Sequence, residues 1–199
     1  VDSGATYMDG TTDITRTYPL GPLTEDEKRF YTWTLQSHID LAKAVWLDYC
    51  ECKMIDTIAR EPLWRHLINY RCGTGHSVSF VGNVHEGPHA LNSRNTTRMR
   101  PGMVVTDEPG VYETDLVGIR IENELVCIHK ADNQYGTFLG FEPLTFVPIA
   151  TSPILPGVLD KDEIAWLNDY HRQVFAKLAP HLNDEERSWL AEKCAAIGC

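Results

Sequence analysis

The hydrophobic period changes twice along this chain, and that change restricts its folds more than any other feature. Over residues 24–67 apolar side chains recur at helical spacing. Over residues 72–141 the pattern breaks into short β-prone runs separated by glycine, proline and polar turns, and over residues 162–178 and 184–197 helical spacing returns. The chain therefore mixes helices with short strands. At 199 residues it fits one domain with room for a full core.

Local signals refine this. Residues 5–8 and 14–17 are predicted strands around an Asp9-Gly10 turn. Thr24 and Glu27 form a capping-box pair at a helix start, with Glu25 and Asp26 where the helix dipole favours acids. Phe30, Trp33, Ser37 and Leu41 line one face of that helix, and Ile39, Val45 and Trp46 widen it. A second helix is expected over 54–67 with Ile55, Ile58 and Ala59 inward, kinked or restarted at Pro62. Residues 77–81, 103–107, 118–127 and 136–141 read as extended.

Eighteen basic against 28 acidic residues give a net charge of −10, which argues against nucleic acid or an anionic membrane as partner. No apolar run approaches the roughly 18 residues of a membrane span. The six cysteines follow neither a secreted-scaffold nor a CxxC metal spacing, so they read as reduced thiols in a cytoplasmic setting.

Chemistry is suggested where acids and histidines gather. Asp2, Asp9 and Asp13 are either a solvated acidic hairpin or a cation site. His76 follows a Gly73-Thr74-Gly75 turn, and His85 and His89 lie in a turn-rich segment; each is either a hydrogen-bonded structural histidine or a metal or acid–base group. Alternation along one strand puts Arg120 and Glu122 on one face, either as a cross-sheet ion pair or with Glu122 partly buried and in need of a partner or metal.

The order of these stretches is specific. Asp2-Ser3-Gly4-Ala5, Asp9-Gly10-Thr11-Thr12-Asp13, Gly73-Thr74-Gly75-His76, Asn83-Val84-His85-Glu86-Gly87-Pro88, Thr106-Asp107-Glu108-Pro109-Gly110 and Gly118-Ile119-Arg120-Ile121-Glu122-Asn123 resemble the catalytic domain of aminopeptidase P, one of the pita-bread metallopeptidases. Phe141-Glu142-Pro143-Leu144-Thr145 resembles its long, multidomain branch. The resemblance implies an α+β pita-bread fold, a curved antiparallel sheet flanked by helices. It implies one catalytic domain over 1–199, with a metal-site core over 1–150 and a helical extension over 151–199. It also implies metal ligands Asp2, Asp13, His76, Glu108 and Glu122, with Asp13 and Glu122 bridging two ions and Asp9 not a ligand.

The implied activity is hydrolysis of an N-terminal Xaa-Pro bond by a hydroxide activated between two metals. Glu108 would shuttle protons, His85 would steady the tetrahedral intermediate, and Tyr112 and Arg120 would orient the ligands. Mn²⁺ suits four carboxylates and one imidazole, with Zn²⁺ or Co²⁺ as substitutes. A peptide with proline second is the implied substrate and a homodimer the implied assembly. An Xaa-Pro dipeptidase, or a fragment that only binds metal or associates, are the alternatives. Two departures stand out. Cys72 occupies a position where many relatives carry histidine. The chain opens at Val1 with a ligand already at residue 2, so it reads as truncated at its N-terminus, without an upstream substrate-site histidine.

Overall fold

The computed structural model describes residues 1–198. Asp2–Tyr7 (β1) and Gly10–Thr15 (β2) form an antiparallel hairpin in register from Asp2↔Thr15 to Tyr7↔Gly10. The turn is Met8-Asp9, one residue earlier than expected. Gly10, at φ 154°, closes it in a backbone conformation that side chains rarely adopt. Glu25–Ala42 (α1) starts on the predicted capping box, with Thr24 accepting from the Glu27 amide and the Glu27 carboxylate accepting from the Thr24 amide. Its inner face buries Tyr31, Leu35, Ile39 and Leu41. Val45 and Trp46 do not extend that face: they form a short strand, Val45–Leu47 (β3), with Trp46 buried and Val45 exposed, as strand alternation requires.

The second helix, Cys52–Trp64 (α2), runs through Pro62 without restarting. Pro62 sits in the last turn, and the helix ends two residues later instead of reaching residue 67. Ile55 and Ala59 are fully inward and Ile58 is half-buried.

The main sheet is antiparallel throughout, in the order β3, β10 (Gly136–Pro143), β9 (Asn123–Asn133), β6 (Val104–Asp107). Two small pairs flank it: β4 (Gly75–His76) with β5 (Ala90–Leu91), and β7 (Gly110–Glu113) with β8 (Val117–Arg120). The single strand expected over 118–127 is broken at Ile121 and Glu122. There the Glu122 amide donates to the Thr15 carbonyl and its own carbonyl accepts from Arg16 Nη1 at 2.6 Å, which draws the backbone out of the ladder. Of residues 77–81 only Ser77 pairs, in a bridge to Val105. Lys161–Leu178 (α3) and Asp184–Lys193 (α4) close the chain, capped by Asp160 and Asn183 and joined by a 3₁₀ turn at Ala179–His181. The last helix ends at Lys193, short of the expected residue 197.

Two apolar clusters hold these layers. Leu41, Ile55, Val105, Leu125 and Leu139 pack α2 on the main sheet, with Trp46 and Phe141 rings 4.6 Å apart. Leu35, Ile39, Ile121, Leu167, Tyr170 and Val174 pack α1 on α3. Arg16, just after β2, ties the hairpin to the break before β9, to the loop at 147–148 and to α3. Its guanidinium donates to the carbonyls of Thr15, Glu122, Val147 and Pro148, to Asn123 Oδ1 and to the Tyr170 hydroxyl.

Candidate metal centre

Five elements converge on one cavity of about 730 Å³. The hairpin brings Asp2 and Asp13, β4 ends on His76, the turn after β6 carries Glu108, and the break before β9 carries Glu122. Close approach makes this possible. A Cβ on Gly75 would lie 1.8 Å from the Thr106 carbonyl oxygen, so only glycine lets β4 press His76 against the strand leading to Glu108.

All five predicted ligands meet there. Ligand-type atoms lie within 4.8 Å of one another in three overlapping groups: Asp2, Asp13 and Glu122; His76, Glu108 and Glu122; and Asp13, His76 and His85. His76 Nε2 is 3.1 Å from Glu108 Oε1 and 3.5 Å from Asp13 Oδ2. Its Nδ1 donates to the Ser77 carbonyl at 3.1 Å, which turns Nε2 to the carboxylates. His85 is exposed at the rim, its ring edge-on to His76 with centroids 4.0 Å apart, close enough to share the third group.

The two orienting residues are also in place. Arg120 pairs with Asp2, donates through Nη1 to the Tyr112 hydroxyl at 2.9 Å and through Nε to Thr15 Oγ1 at 3.1 Å. Among the described residues, Tyr112 hydrogen-bonds to Arg120 and not to the acids themselves. Asp9 lies in the exposed hairpin turn, lining a separate cavity. Cys72 is an exposed free thiol near this site, and its carbonyl accepts from Arg60 Nη2 at 2.9 Å.

Sequence reasoning missed several polar groups behind the ligands. Thr15 Oγ1 donates to Glu122 Oε2 at 2.6 Å, and Thr106 Oγ1 donates to Glu108 Oε1 at 2.8 Å. Both were legible by alternation, since Asp13 and Thr15 must share a strand face. Glu124, 6% exposed, is buried one strand position beyond Asn123, with Oε1 unpartnered among the described residues.

The electrostatics are those of carboxylates lacking a counter-charge. Burial, then the charge of Glu108, pushes Glu122 up to about 8, against the hydrogen bond from Thr15. Burial, with a smaller push from the Asp13 charge, raises Glu124 to about 7; burial, with a smaller push from Glu108, raises Asp107 to about 6 despite His38 beside it. Burial pulls His76 down, but hydrogen bonds to Asp13 and Glu108 outweigh it and raise it to about 10. Glu122 Oε1 is buried with no hydrogen-bond partner among the described residues. Four carboxylates, one imidazole and that orphaned oxygen fit divalent cations with a preference for oxygen donors.

These shifts set a stability test. All four groups hold protons more tightly folded than unfolded, so each contributes stability that is lost as pH rises through its folded value. His171, pulled down to about 4 by burial, opposes this only below its ordinary value near 6.5. From pH 6.5 to 8 Glu122, Glu124 and His76 remain unopposed by it. Metal-free protein is expected to lose on the order of 5 °C in Tm over that interval, and saturating Mn²⁺ should abolish the loss. Thermal unfolding in chelator at both pH values checks this, and a Tm that rises toward pH 8 contradicts it.

Comparison with known proteins agrees with this fold. The family model described as metallopeptidase family M24 matches residues 1–129, and that for the C-terminal region of peptidase_M24 matches residues 137–197. Aminopeptidase P1 of Lotus japonicus is 43% identical over 203 residues, covering 99% of this chain and 31% of that protein. The crystal structure of an X-prolyl aminopeptidase from Caenorhabditis elegans, described as a cytosolic enzyme with a di-nuclear active site, superposes with a TM-score of 0.93. It is 39% identical and covers 98% of this chain and 33% of its own. A prolidase from Pyrococcus furiosus matches less fully, with a TM-score of 0.62 and 30% identity over 73% of this chain and 40% of its own. The chain thus spans about a third of the length of the aminopeptidases it matches. No helix among the described residues is long and apolar enough to cross a membrane.

Proposed function

Because this chain belongs to metallopeptidase family M24, we propose that its five convergent ligands form a dinuclear centre for hydrolysing the N-terminal bond of Xaa-Pro peptides. The observation that carries this reading is the overlap of the ligand groups on Glu122, Asp13 and His76, as two neighbouring ions with shared ligands require. Asp2, Asp13 and Glu122 would hold one ion, and His76, Glu108 and Glu122 the other, with Asp13 shared. Two divalent cations there would lower the pKa of water and polarise the scissile carbonyl. Mn²⁺ fits the hard donor set, and Zn²⁺ or Co²⁺ fit it less selectively.

The chain's own groups supply the rest. Thr15 and Thr106 each fix one oxygen of a ligand carboxylate, leaving the other free. Glu108 sits at the cavity wall, where a carboxylate can take and return a proton. His85, on the open side, can donate a hydrogen bond to the oxygen on which charge develops. Arg120, held by Tyr112, aligns Asp2.

The 43% identity to an aminopeptidase P over 99% of this chain supports an aminopeptidase over a dipeptidase. The cytosolic description of the worm enzyme supports a cytoplasmic setting. We also divide the single domain into a metal-site core over 1–150 and a helical extension over 151–199, because α3 and α4 both follow that boundary.

The test is calorimetric titration of this chain with Mn²⁺ beside a peptide assay. Two ions per chain and Mn²⁺-dependent release of the first residue from an Xaa-Pro peptide, with an Xaa-Ala peptide resistant, are expected. His85→Ala should keep Mn²⁺ binding within about twofold and lower kcat by 10²–10³-fold, roughly the effect of losing one oxyanion donor. A chain that binds no Mn²⁺ rejects the metal centre. One that binds two ions without turnover rejects the activity for this length of chain.

A further inference from the structure

Behind the acids lies a second polar assembly, fully enclosed, which the proposed chemistry does not use. Asp107 and Asn123 stand directly opposite each other at the paired ends of β6 and β9. They are the residues next to Glu108 and Glu122. While Glu108 and Glu122 line the cavity, Asp107 and Asn123 meet His38 of α1. His38, Asp107 and Asn123 are each 0% exposed.

The hydrogens in this assembly can be placed by elimination. Arg16 can only donate, so the Asn123 side-chain atom 2.7 Å from its Nη2 is the oxygen. The Asn123 amide nitrogen then faces His38 Nε2 at 3.3 Å and must donate to it. With Nε2 accepting, the His38 hydrogen sits on Nδ1. That atom lies 3.2 Å from the Asp107 carbonyl oxygen and 3.1 Å from its Oδ2. The result is one directed chain, Arg16 to Asn123 to His38 to Asp107. The hydrogen bond from Nδ1 ends on the Asp107 carbonyl; neither carboxylate oxygen has a hydrogen-bond partner among the described residues, although Oδ2 lies in close charge contact with the ring.

We infer that His38 is a positioning residue, a staple from α1 that ties the ends of β6 and β9 together and so sets the separation of Glu108 and Glu122. The other two buried histidines, His89 and His171, each hold one partner and leave Nδ1 without one among the described residues, whereas both ring nitrogens of His38 are held, one by each ligand-bearing strand. The staple acts through backbone: each of its two partners is covalently joined to a metal-binding carboxylate. Outer groups that orient ligands this way typically change metal affinity 10–100-fold when removed. The inference rests on the assignment of Glu108 and Glu122 as ligands.

Two measurements test it. In the unchanged chain at neutral pH, long-range ¹H–¹⁵N spectra should show His38 with its hydrogen on Nδ1 alone; any hydrogen on Nε2 breaks the chain and overturns the proposal, whether or not variants fold. Next, His38→Leu should weaken Mn²⁺ binding at least about tenfold, measured by calorimetry below its Tm. The double variant His38→Leu with Asp107→Asn removes the unpaired buried charge. It should recover metal-free Tm but not Mn²⁺ affinity. If His38→Leu binds Mn²⁺ as the unchanged chain does, or the double variant recovers both properties, His38 is only a core residue. If the unchanged chain binds no Mn²⁺, the ligand assignment fails instead, and the role given to the staple fails with it.

Discussion

Replacing Glu122 with glutamine is expected to weaken Mn²⁺ binding by at least about 100-fold while raising the Tm of the metal-free protein. Both effects have one cause. Glu122 is 1% exposed and its Oε1 has no hydrogen-bond partner among the described residues. It belongs to two of the three ligand groups, so its loss removes a donor from both proposed ion sites. Stranding a charge that has lost its buried partner costs about 3–5 kcal/mol, or roughly two to three and a half decades of affinity. Without metal the sign reverses. A carboxyl pushed up to about 8 by burial and by Glu108 works against the folded state near neutral pH, and a neutral amide of the same shape relieves it. Calorimetry and thermal unfolding in chelator read the two halves. A Glu122→Gln chain that binds Mn²⁺ as tightly as its parent would falsify the shared-ligand role.

That opposition was only half legible in the sequence. The positions of Asp2, Asp13, His76, Glu108 and Glu122 could be named because each sits in a local motif, a turn or strand end whose pattern survives in linear order. The helix starts at Thr24 and near residue 161 were legible for the same reason, since capping is decided within four residues. What failed depended on distant partners. The expected strand over 118–127 breaks because Thr15 and Arg16, more than a hundred positions away, capture the backbone at Glu122. His38 lies inside the first helix, where nothing in the local pattern sets it apart. Its partners, Asp107 and Asn123, lie 69 and 85 residues on, and no local period points to them. Glu124 likewise continued an alternating strand, and only its neighbours show that it is enclosed.

Arg16 is where these distant couplings meet, and Arg16→Ala is expected to lower Tm by about 10–15 °C. The residue is 4% exposed and supplies six hydrogen bonds. Four end on backbone carbonyls at 15, 122, 147 and 148, so alanine leaves enclosed acceptors from three separate chain segments without their donor. Bonds from a charged donor contribute about 1.5–3 kcal/mol each, and buried sites of this kind lose about 3–5 kcal/mol in total when one partner is removed. At about 2–4 °C per kcal/mol for a chain of this size, that gives the stated shift. Arg16→Lys should recover little, because an ammonium cannot span acceptors that a planar guanidinium reaches at once. A Tm within about 3 °C of the parent would show that water replaces the lost donors. The same variant bears on the metal centre, because Arg16 orients Asn123 and, through it, His38. Held below its Tm, the Arg16→Ala chain should therefore also bind Mn²⁺ more weakly, although no atom of Arg16 reaches the cavity lining.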